Sequence, residues 1–61
     1  MEEQLQLAEA VRKACIAAAL RAYEEAGLSG LCQEGRWEYA VDAMRGMHLR
    51  PLVQACIHGG E

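Results

Sequence analysis

Four residues in this chain have types that could bind a metal together: Cys32, His48, Cys56 and His58. Zinc accepts thiolate and imidazole ligands, and a bound ion supplies folding energy that a short chain otherwise lacks. Structural zinc sites gather their ligands as close pairs of the CxxC or HxxxH kind. Here the only close pair is Cys56-x-His58, and residues two apart on a helix point to different sides. Cys56 is therefore expected in a core and His58 as a solvated residue near a helix C-terminus. The metal set remains an alternative reading, and no cofactor is expected.

The thiols can also be read by themselves. Three cysteines without a CxxC pair do not make a disulfide framework, which needs an even count. Reduced thiols in a reducing compartment are the simpler expectation. Cys15 falls among alanines, where a small apolar side chain fits and a reactive one is shielded. Cys32 lies in a glycine-rich stretch, with Arg36 one helical turn later to favour its thiolate. A redox sensor built on Cys32 and Cys56 is thus the second form of the Cys/His alternative.

Other chemistry finds less support. Ser29 sits in the run Gly27-Leu28-Ser29-Gly30-Leu31, whose glycines do not fit the G-x-S-x-G elbow of a hydrolase. None of the glycines follows a strand, as a phosphate-binding loop requires. Glu24, Glu25, Glu34, Glu38 and Asp42 read as solvated helix faces. Arg36, Arg45, Arg50 and His48 make a small basic cluster. A helix-turn-helix reader would want such residues opening its recognition helix, where Pro51 and Leu52 stand instead. The net charge of −3 and a pI near 5.3 argue against a general nucleic-acid footprint and against attraction to an anionic membrane. A DNA-binding dimer is the third reading.

The elements that must position these groups are helical. Residues 4 to 26 hold strong helix formers and neither glycine nor proline, which predicts a helix of roughly 35 Å. At 100° per residue Leu7, Val11, Cys15, Ala18 and Ala22 fall on one line, with Glu2, Gln6, Glu9, Lys13 and Glu24 opposite. Gly27 is expected to cap that helix, and a break is expected near Gly35. A second helix is predicted over 36 to 45, on the stripe Trp37, Ala40, Val41, Met44 and Met47. A third is predicted over 51 to 58, opened by Pro51. The segment GRWEYAVDAMRGMHLRP, residues 35 to 51, resembles the second half of a tetratricopeptide unit at Gly35, Trp37, Ala40 and Pro51. The likeness extends from Leu20 to Pro51, about half of the chain, runs one residue short and has no second copy. It implies a helix-turn-helix hairpin.

Sixty-one residues make a single small domain, and a chain of that length buries only about 60% of its unfolded surface. The apolar share of 52% is largely alanine, with no phenylalanine, so a lone core would be thin. The expected fold is all-α: a helical hairpin with a long alanine-rich first helix, a shorter second and a short third folded over the open end, assembled as an oligomer. Leu7, Val11, Cys15, Ala18 and Ala22 are the expected oligomer interface. Trp37, Val41, Met44 and Met47 are expected as core, with Trp37 its anchor, or alternatively as a partner groove. A chain too short for a water-excluding pocket is not expected to be an enzyme. The expected partners are the chain itself and another protein, an accessory role in a larger complex. With no membrane-length apolar run and no basic leader, the expected location is the cytoplasm.

Overall fold

The computed structural model describes the backbone of residues 1–59 and the side-chain surroundings of residues 1–56. Three α-helices follow one another: α1, Glu2–Leu28; α2, Gln33–Arg45; and α3, Arg50–Gly59. Alanine, leucine and glutamate carry α1 through 27 residues, about 40 Å at 1.5 Å per residue. Glu2 and Glu3 lie in its first turn, at the positive end of the helix dipole.

The end of α1 departs from expectation. The helix runs through Gly27 to Leu28 and is closed three residues later than predicted, by Gly30. Gly30 has φ +86°. Its N–H donates to the Gly27 carbonyl at 3.1 Å, and the Leu31 N–H donates to the Ala26 carbonyl at 3.0 Å. This pair of bonds is a Schellman cap, whose left-handed residue is most often glycine. Gly27 remains helical for another reason. A β-carbon there would stand 3.0 Å from the Arg36 guanidinium carbon, so the glycine makes room for that side chain.

The second helix also starts earlier than expected, at Gln33 with Cys32 as N-cap. Gly35 lies inside its first turn rather than at a break. The Leu31 side chain folds over Gly35, where a β-carbon would come within 2.9 Å of it. Gly46 ends α2, its N–H bonded to the Asp42 carbonyl at 2.9 Å. Pro51 stands in the first turn of α3, where a missing N–H costs nothing.

The first two helices form an antiparallel hairpin. Arg36 sits against Tyr23 and Gly27, while Tyr39, Asp42 and Ala43 flank Ala18, Arg21, Ala22 and Glu25. Helix α1 also packs against α3. The fully buried apolar residues of the described chain are Ala22, Ala26 and Ala40, and no large side chain joins them. The core is therefore a seam where two helix backbones approach closely, rather than a volume filled by side chains. Trp37 is 61% exposed and does not anchor it. At 100° per residue Trp37 lies about 60° from Ala40, on the flank of the seam. Small residues on α1 bring the backbones too near for an indole to enter.

The hairpin cap gives a direct expectation. Gly30→Ala should lower unfolding stability by about 1 kcal/mol, the cost of a β-carbon in the left-handed region. Thermal or urea unfolding followed by circular dichroism would measure it. An unchanged midpoint would mean that this turn does not close α1 in solution.

Candidate functional site

The residues singled out from the sequence do not come together. Cys32 is exposed at the hairpin corner and His48 is exposed in the link after α2. They stand at opposite ends of α2, about 20 Å apart by its helical rise. Cys56 is half-buried on α3, and His58 lies outside the described side chains. Among the described residues no three His, Cys, Asp or Glu side chains are grouped to hold a metal ion. The length of α2 thus holds Cys32 and His48, two of the four, apart. Cys15, Cys32 and Cys56 are all free thiols.

Arg36 is the side chain whose role the sequence concealed. Its Nε donates to the Leu31 carbonyl at 3.2 Å, and its guanidinium lies 5.7 Å from the centre of the Tyr23 ring. A cation over an aromatic face is attracted by the ring quadrupole. Together with the close approach to Gly27, these contacts commit Arg36 to holding the corner. It is withdrawn from the basic cluster proposed for nucleic acid. The signal in sequence was the placement of Tyr23, Gly27 and Arg36 across the turn, legible only once the hairpin register is known.

The line Leu7, Val11, Cys15, Ala18 and Ala22, expected to meet a second chain, is partly covered within the chain itself. Ala22 is buried and the other four are half-buried. Ala18 and Ala22 of this line stand beside Tyr39, Asp42 and Ala43 of α2. Val41, Met44 and Met47 are half-buried beside the seam, whereas Trp37 stands out from it.

What the fold leaves open is an apolar surface. Leu5, Ile16 and Leu20 are 56%, 53% and 66% exposed on the outer flank of α1. Trp37 and Tyr39 project from α2, and Leu28, Leu31 and Leu49 from the helix ends. The accessible surface is 5129 Å², against about 3,900 Å² expected for a compact monomer of this mass. The Cα radius of gyration is 14.1 Å, against about 10.5 Å for a compact domain of this length. The protein is a rod, 44 Å long and 17 by 14 Å across. Among the described residues no helix is long and apolar enough to cross a membrane. No family model, curated protein or solved structure matches the chain.

Two measurements check this geometry. Trp37→Ala should change stability by no more than about 0.5 kcal/mol, as for other surface positions; a loss of several kcal/mol would restore Trp37 to a core. Iodoacetamide should alkylate exposed Cys32 ahead of half-buried Cys15 and Cys56, read by peptide mass spectrometry at short times. Equal rates at all three would contradict the packing of α1 and α3.

Proposed function

We propose that this chain is a non-enzymatic helical module that works by association, with copies of itself and with another protein, as an accessory subunit, adaptor or regulator. The observation that carries the reading is the surplus surface. About 1,200 Å² more is exposed than a compact chain of this mass would leave. A standard interface takes about 800 Å² from each partner. The surplus therefore exceeds one such contact, and leucine, isoleucine and tryptophan side chains are among the exposed residues. Exposed large apolar side chains gathered on one face mark contact sites.

Trp37 supports the second association. Tryptophan dominates interface hot spots because its rigid ring buries a large area at low entropic cost. Here it is flanked by Glu38, Asp42 and Arg45, a polar rim of the kind that surrounds such anchors.

Analytical ultracentrifugation of the reduced, untagged chain across a wide concentration range tests the reading. The expected mass moves from 6.7 kDa to a multiple of it as concentration rises. A 6.7 kDa species at every concentration would overturn self-association.

A further inference from the structure

We infer that the outer ridge of α1 is a two-fold interface on which a second copy of this chain packs antiparallel. The inference rests on the associative reading above and deepens it by naming the surface, the occupant and the register.

The ridge consists of Met1, Leu5, Glu9, Arg12, Ile16 and Leu20. Successive steps are four, four, three, four and four residues, so all six fall within about 100° of the helix circumference. The ridge lies about a third of a turn from the inward line of Val11, Ala18 and Ala22. It is consequently free of contacts with α2 and α3. Met1, Leu5, Ile16 and Leu20 are all exposed, and Arg12 and Glu9 keep 72% and 57% of their side-chain surface open.

The spacing reads identically from either end, and so does the chemistry. A two-fold axis perpendicular to α1, passing between Ala10 and Val11, sets Leu5 opposite Ile16 of the second copy and Leu20 opposite its Met1. It sets Glu9 opposite Arg12 and Arg12 opposite Glu9. An isologous interface demands this property, that residue i meet j while j meets i. Within one chain Glu9 and Arg12 already form an ion pair at 3.0 Å. Across the axis the two pairs become a four-charge cluster with alternating signs. The chain carries a net charge of −3, yet the charged ridge side chains, Glu9 and Arg12, cancel, so two copies can approach there without side-chain repulsion. Apolar side chains at both ends with charges at the centre also fix the register. A shift by one turn would set Ile16 against Glu9, or Leu5 against Arg12. A second copy is the occupant that matches every position; an unrelated helix has no reason to share the reversed order.

The test is a charge-swap pair of variants measured by ultracentrifugation of the full chain, with circular dichroism as a control on helicity. Glu9→Arg gives a ridge with two central cations, and Arg12→Glu gives one with two anions. Each variant alone should dissociate at least about tenfold more readily than the parent, since like charges now face each other. An equimolar mixture should recover dimers, because the two central cations of one chain then meet the two central anions of the other. Repulsion within each helix persists in the mixture, so recovery reports contact between chains alone. Ile16→Glu should be a helical monomer. Dimers of parental strength in all three variants would overturn the ridge while leaving the associative reading in place. Single variants that stay monomeric when mixed would overturn the antiparallel register. A parent chain that is monomeric throughout would overturn both.

Discussion

The close approach of α1 and α2 along Ala22, Ala26 and Ala40 is the constraint on which the rest of the molecule depends. Two helices meeting through β-carbons come nearer than two helices separated by leucines. That nearness provides many small dispersion contacts but leaves no interior volume for larger side chains. Trp37, on the flank of the seam, stays outside for this reason and not for want of hydrophobicity. Alanine buries little area for each residue ordered, so hydrophobic stabilisation from the seam alone is modest.

Much of the fold was legible in the sequence. The number, order and type of helices followed from helix formers in 4–26 and apolar spacing in the two later segments, and the hairpin followed from the glycine-rich turn. The boundaries were less accessible, because three glycines lie within nine residues and each has a different task. Gly27 clears space for Arg36, Gly30 supplies the left-handed turn, and Gly35 admits Leu31. Only the backbone angles and neighbouring side chains separate these tasks. Periodicity singled out the line of α1 on which Ala22 is buried. It could not tell whether the chain's own helices or a second copy would cover it.

The candidate site was read less completely. A list of metal-binding residue types says nothing of distance, and α2 carries Cys32 and His48 apart. Arg36 was visible as a charge but not as a corner clasp. The outer ridge was not visible as a unit: Glu9 was placed on the polar face, and Leu5, Ile16 and Leu20 fell outside the expected contact line. Exposure of all six residues in the folded hairpin reunites them as one surface.

The clasp of Arg36 over Tyr23 and Gly27 has a kinetic consequence. These residues lie close together along the chain, so forming the corner closes only a short loop and costs little entropy. Chains dominated by such local contacts fold in microseconds to milliseconds. A hairpin that forms this fast is in place before two copies would meet at micromolar concentration, so the proposed assembly would join preformed rods rather than folding segments. Encounter frequency, rather than chain ordering, would then set how quickly such an assembly appears.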